Sequence, residues 1–385
     1  MPKEERASLD ELSRAVDRER KRASVRPLDI SFNELADMYA TGELHITPEY
    51  QRTFRWSQVK QSQFIESIVL EMPVPPIYTV EVGEAKWELI DGLQRLSTYL
   101  HFRGQLDLPE REPVIRKGES RLCLAGCDIL PELNNYTFDE LTTSFQHRVR
   151  RATLRVEVVR KESNPRFAYY MFKRLNAGGE PLSDQESRNC SIRLLGPKFN
   201  DFIVRMKDNQ NFRSCTADLT EEDRGRMEDA EMVLRFVAFK NNMSEYVHDI
   251  EPFLTDYMER VTDEASEHHI QFDYAREEEV FTRTFEVLAE ALGEETARRW
   301  VGGGRRYGGG FSRGHYEAFS VGVAKVIDQI PRQRTAAQKE QIKIALDEAK
   351  QAPRLKELTT GGGKNFRRIY EEKVALVADH LRLVL

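Results

Sequence analysis

The chain reads as an α+β protein, a small strand-and-helix region followed by a larger region of helices. Three observations predict this. Ala152 to Arg160 alternates Leu154, Val156 and Val158 with Arg155 and Glu157, the pattern of a half-buried strand. Trp87 to Tyr99 (WELIDGLQRLSTY) runs from a short β-prone stretch through Asp91-Gly92 into leucines at helical spacing. Beyond Cys190, apolar residues recur with a helical period to the C-terminus. The expected division is a charged helical arm over 1–27, an α+β domain over 28–163 and a helical domain over 164–385.

In order, residues 4–26 alternate charges around Leu9, Leu12 and Val16, as a solvated helix does, with a basic cluster at Arg18, Arg20, Lys21 and Arg22. Ser31 opens a short helix that ends near Gly42. After YQRTFRW (50–56), Ser57 is the expected N-cap of a helix to Leu70, which Pro73, Pro75 and Pro76 stop. Ile77 to Val82 and Trp87 to Ile90 are the expected strands of a hairpin turned at Gly83. Gly104 to Ser144 loses periodicity and reads as a long, partly exposed insertion. Asn164 and Pro165 open the next helix, with Phe167, Tyr170, Met171 and Leu175 as its apolar stripe. Gly178-Gly179 end it, and Ser183 with Glu186 forms a capping box for its successor. In the helical half, Met227, Ala230, Leu234, Val237 and Ala238 share a face, as do Phe281, Phe285, Leu288 and Leu292. The glycine runs at 302–310 and 361–363 read as loops. Neither has the spacing of a phosphate-binding P-loop.

Of 385 residues, 40% are apolar and 32% charged, with a net charge of −6, which excludes a protein that coats nucleic acid over its whole surface but allows a local basic groove. MPKEERASLD has no apolar core and no run approaches membrane-spanning length, so a cytoplasmic protein without membrane contact is expected. The four cysteines show no paired spacing, and free thiols are expected.

The strand–turn–helix at Asp91 is the candidate site. It puts Asp91, Gly92, Gln94 and Arg95 at the start of a helix, where unpaired N–H groups and the helix dipole favour an anion. Arg95 offers a planar fork of donors to a phosphate, and Asp91 a carboxylate for a metal-bound water. The plainer alternative is that Asp91 caps the helix and Arg95 pairs with a nearby carboxylate. Asn176 and Arg188, around the Gly178-Gly179 corner between the helix opened at Asn164 and its successor, exceed what a corner needs and hint at ligand contact.

Four ordered motifs, YQRTFRW (50–56), PVPPIY (73–78), IDGLQRLSTY (90–99) and MFKRLNAGGEPLSDQESRN (171–189), resemble the GmrSD-type restriction system N-terminal domain family, from about residue 28 onward. The resemblance implies a ParB/sulfiredoxin-like, small mixed-sheet fold over 28–163, binding of an NTP with Mg²⁺ and, in some members, its hydrolysis. It implies Asp91 and Arg95 as catalytic residues, with Asp91 toward the metal. Gln51, Arg52, Lys60, Gly92 and Gln94 would contribute to the phosphate site. It also implies a role in restricting foreign DNA beside a separate nuclease or effector subunit. Two departures stand out. Leu93 replaces the commoner Gln after Asp-Gly, which weakens hydrolysis more than binding. The eight histidines show no His-Asn-His arrangement, so no nuclease is read in this chain.

Two functions follow. One is a nucleotide-binding, NTP-hydrolysing component of a defence system. The alternative is a non-enzymatic DNA-binding or protein-interaction switch using the same pocket, with Arg148, Arg150 and Arg151 as its DNA-facing residues.

Overall fold

A computed structural model describes the chain except for residues 1–7, 22–23, 47–53, 55, 107–120, 162, 164, 176–182, 302–306 and 361–364. The fold is mixed α+β, a five-stranded mixed sheet in the N-terminal region and a larger helical part after it. Two compact units, Met1–Leu182 and Ser183–Leu385, divide the chain.

The first unit begins with α1 (Leu9–Lys21), whose Leu9, Leu12 and Val16 are exposed. The arm expected to run to residue 27 is shorter, because β1 (Val25–Ser31) follows as an edge strand. Pro27 and Asp29 hide this strand from a propensity reading, and its pairing with a partner far along the chain overrides them. Ser31 caps α2 (Phe32–Thr41) by accepting from Glu34 N, and Gly42 closes that helix at φ 77°. Next come β2 (Leu44–His45) and α3 (Gln58–Val69), capped by Ser57. β3 (Ile77–Gly83), β4 (Lys86–Asp91) and α4 (Leu93–Arg103) follow as the sequence predicts.

The stretch after Gly104 is not wholly a loose insertion. Two 3-10 turns, Pro131–Leu133 and Phe138–Glu140, bury Leu122, Leu124, Leu133, Phe138 and Leu141. They are held partly by Glu66, a buried carboxylate whose Oε1 accepts from Ile129 N at 3.0 Å and Leu130 N at 2.5 Å. α5 (Thr143–Arg151) then leads into β5 (Thr153–Val159), where Leu154, Val156 and Val158 are buried while Thr153 and Arg155 are exposed.

Sheet order is β1-β5-β3-β4-β2. β1 and β5 are antiparallel, β5 and β3 parallel, β3 and β4 antiparallel, and β4 and β2 parallel. α2, α3, α4 and α5 pack on one another, and Phe32 stacks on Tyr99 at 4.8 Å at their centre. The unit closes with α6 (Pro165–Leu175). Its buried stripe is Ala168, Tyr169 and Phe172. The expected stripe was one position out: Tyr170 is 48% exposed, and Phe167, Met171 and Leu175 are half-buried. Aromatic residues on both sides of this helix leave its periodicity ambiguous.

The second unit opens with α7 (Asp184–Ile192), and the Ser183–Glu186 capping box forms as read from sequence. α8 (Pro197–Lys207), α9 (Gln210–Cys215), α10 (Glu221–Gly225), α11 (Glu228–Asn242), α12 (Ile250–Thr262) and α13 (Tyr274–Ala291) follow. A small hairpin of β6 (Arg299–Trp300) and β7 (Tyr307–Gly308) interrupts the helices, so Tyr307-Gly308 is not simply loop. The chain ends with α14 (Arg313–Ala324), α15 (Ala336–Gln351), α16 (Pro353–Thr359) and α17 (Arg367–Arg382). α11 is buried on almost every side, with Met232, Val233, Phe236 and Phe239 joining the predicted face.

Candidate functional site

The candidate site is where β4 turns into α4. Strand pairing ends with Asp91 opposite Tyr78, and α4 starts at Leu93. Gly92 makes the junction at φ 103°, a conformation that side chains rarely adopt. Its lack of a side chain is required by packing. A Cβ at Gly92 would fall 2.2 Å from Ile77 Cγ2.

Asp91 does not cap the helix, and α4 has no side-chain cap among the described residues. Its Oδ2 accepts instead from Arg95 Nη2 at 2.7 Å, and the same nitrogen donates to the Pro76 carbonyl at 3.0 Å. The two side chains keep 26% and 17% of their exposure, so the pair lies at the surface edge of the fold and not in its core. Arg95 Nε is buried without a hydrogen-bond partner among the described residues. The Pro76 contact was invisible in the sequence, where the proline run reads only as the end of a helix.

The motif at 50–56 reaches this turn through its described end. Trp56 N donates to Gln94 Oε1 at 3.1 Å, which gives Gln94 a positioning role. Gln61 Nε2 donates to the Trp56 carbonyl at 2.7 Å, and Gln61 Oε1 lies 2.9 Å from His101 Nδ1. Lys60 is exposed and holds its ammonium 5.5 Å from the Trp56 ring centre. Gln51, Arg52 and Asn176 lie outside the described residues, as do Asn164, Gly178-Gly179, Arg305 and Arg306.

Arg188 belongs to the second unit and is buried there. Its Nη1 donates to Gln185 Oε1 at 2.7 Å and Glu231 Oε2 at 3.3 Å, and its Nε to Thr255 Oγ1 at 3.1 Å. Glu231 bonds Arg235 at 2.8 Å, Arg235 bonds Glu317 at 2.7 Å and Lys373 bonds the other Glu317 oxygen at 2.7 Å. Arg188 is therefore the end of a buried chain of charges joining α7, α11, α14 and α17. These partners engage Arg188 within its own unit.

The three arginines put forward for DNA sit in the last turn of α5. Arg148 and Arg151 are exposed, while Arg150 turns inward with its guanidinium 5.4 Å from the Phe138 ring centre. Cys123, Cys127 and Cys215 carry free thiols. Among the described residues no cluster of three or more His, Cys, Asp or Glu could hold a metal, and no helix is long and apolar enough to cross a membrane. His315 is buried against Ser312 Oγ at 3.1 Å. Burial, then the charges of Lys350, Arg299 and Lys373, push it down to about 3, so it stays neutral at ordinary pH.

A mixed sheet whose fourth strand turns through glycine into a helix bearing an Asp–Arg pair defines the class: an α+β domain built around an Asp-Gly-x-x-Arg turn. Residues 32–193 match the family described as GmrSD restriction endonuclease, N-terminal domain. The match runs from the first residue of α2 to just past α7 and includes the whole Asp91–Arg95 turn. It suggests a role in a restriction or defence system. Among curated proteins and among solved structures the chain has no significant match.

Proposed function

We propose that the chain is the nucleotide-binding component of a DNA restriction system, with the β-γ phosphates of an NTP held at the Asp91–Arg95 turn. The observation that carries this reading is the ion pair itself. Asp91 and Arg95 sit partly exposed over the first turn of a helix with no side-chain cap among the described residues. The first-turn N–H groups and the helix dipole favour an anion there. Arg95 adds a charged fork, which the Pro76 carbonyl and Asp91 hold in one orientation. A ParB/sulfiredoxin-like relationship for the sheet domain is part of the same proposal.

Asp91 and Arg95 together are electrically neutral, so phosphates approaching them meet a carboxylate as well as a guanidinium. Binding is accordingly expected to need Mg²⁺. The turn supplies one carboxylate, Asp91, toward that ion, which suffices for a metal held mainly by phosphates and water. Mg²⁺ would supply charge neutralisation, and Arg95 and the α4 N-terminus would orient the phosphates. Turnover adds to this reading only if the same residues position an attacking water, a matter of orientation and electrostatics.

A thermal-shift series with ATP, GTP, CTP and UTP, each with and without Mg²⁺, tests the proposal. Ligand bound only to the folded state raises the melting temperature by mass action. A Mg²⁺-dependent rise with at least one nucleotide, absent in Arg95→Ala, is expected. No rise with any of the four in the intact protein would sink the assignment.

A further inference from the structure

A second feature of the first unit, independent of the Asp91 turn, also has the chemistry of a binding site. Between α2, the end of α3 and the α5–β5 junction lies a recess of about 360 Å³. Met72 and Val74 are its accessible apolar floor, with Phe32 and Ile68 fully buried, and Arg148 and Arg151 line the same recess. On a helix, residues three apart are neighbours, so the two guanidiniums flank one opening. The remaining arginines of the run are otherwise engaged. Arg150 covers Phe138, and Arg155 is held by both Asp29 oxygens at 3.2 Å and by Glu157 at 3.3 Å.

The charge on the wall is weakly matched. Arg148 is 52% exposed, and among the described residues its side chain meets just the Val69 carbonyl at 3.4 Å and Glu71 at 3.9 Å. Arg151 has no hydrogen bond or ion pair among the described residues. Glu71 is the one acidic residue of the lining, against two arginines, and Thr153 adds an exposed hydroxyl. Two cations beside an apolar floor call for a ligand with a negative charge and a flat apolar body covalently joined. A nucleotide unit of a single strand has both, its phosphate between the arginines and its unstacked base on the floor. In a duplex the bases stay stacked and leave such a floor unused.

We propose that the Arg148–Arg151 recess binds one nucleotide unit of a single-stranded DNA segment. This site is separate from the Asp91–Arg95 turn, and neither reading depends on the other.

The test is fluorescence polarisation of labelled oligothymidylate with the full chain at low salt, alongside a duplex of the same length. Intact protein is expected to bind the single strand more tightly than the duplex. Arg148→Gln/Arg151→Gln should weaken single-strand binding about tenfold or more, and make the dependence of log affinity on log salt shallower by about one. Arg151→Gln alone, which removes no contact within the fold, should reproduce part of that loss with an unchanged melting temperature. Arg155→Gln should leave binding intact. The proposal is overturned if the single strand does not bind, if the double variant binds it as well as the intact protein, or if duplex and single strand bind equally.

Discussion

Ile77 and Gly92 lie so close that the methyl of one occupies the space where the other would carry a Cβ, with only 2.2 Å between Ile77 Cγ2 and that position. The contact joins the start of β3 to the junction between β4 and α4. It fixes where α4 begins, and therefore where Arg95 stands relative to Asp91 one helical turn earlier.

Gly92→Ala should be strongly destabilising. The new methyl meets the β-branched carbon of a fully buried residue at a backbone angle that alanine disfavours. Together the overpacking and the strained φ should cost on the order of 2–4 kcal/mol. Urea unfolding monitored by tryptophan fluorescence measures it, and a loss below about 1 kcal/mol would mean that the turn relaxes freely.

Asp91→Ala separates structure from chemistry at the same turn. The pair is partly exposed, so removing the carboxylate should cost stability only about 1 kcal/mol. If the nucleotide reading holds, the variant loses Mg²⁺-dependent nucleotide binding and any phosphate release while it stays folded. Phosphate release at the level of the intact protein would remove Asp91 from the chemistry.

Glu66→Ala probes the carboxylate that ties the 3-10 segment to α3. It would take the shared acceptor from the N–H groups of Ile129 and Leu130 in a part-buried setting, at a cost of about 1–2 kcal/mol. Hydrogen exchange of those two amides should accelerate well before global unfolding. Unchanged protection there would show that water or another acceptor takes over.

Glu317 provides a pH signature for the second unit. Burial pushes its carboxyl up, but Lys373 and Arg235 together pull it further down, below the ordinary carboxylate value of 4.5. A group with a lowered folded-state pKa contributes stability above its unfolded pKa and loses it as pH falls through the folded one. The intact protein should therefore weaken as pH drops below about 4.5. Glu317→Gln should lack that part of the acid dependence, and at pH 7 it should be less stable by about 3–5 kcal/mol because buried Lys373 loses its carboxylate and buried Arg235 keeps only Glu231. Denaturant melts across pH 3 to 7 distinguish the two, and parallel pH profiles would count against the buried chain of charges.

Much of this molecule is legible in local sequence because its signals act over a few residues. Ser31, Ser57 and Ser183 each accept from an N–H three positions on, so the caps of α2, α3 and α7 could be read directly. The alternation in β5 and the strand–glycine–helix order at Asp91 are local in the same sense. What stayed hidden depends on partners far along the chain. β1 is a strand because β5, more than a hundred residues later, pairs with it. The α6 stripe depends on which of several aromatics finds a core to enter. The arginines of α5 part company because Phe138 draws one inward while the recess leaves two outside. Arg188 is spoken for by a glutamate on α11. Capping and periodicity are written in neighbouring residues. Burial, ion pairing and the neighbour that makes Gly92 indispensable exist only once distant segments pack, because each is an interaction between groups that the sequence does not place side by side.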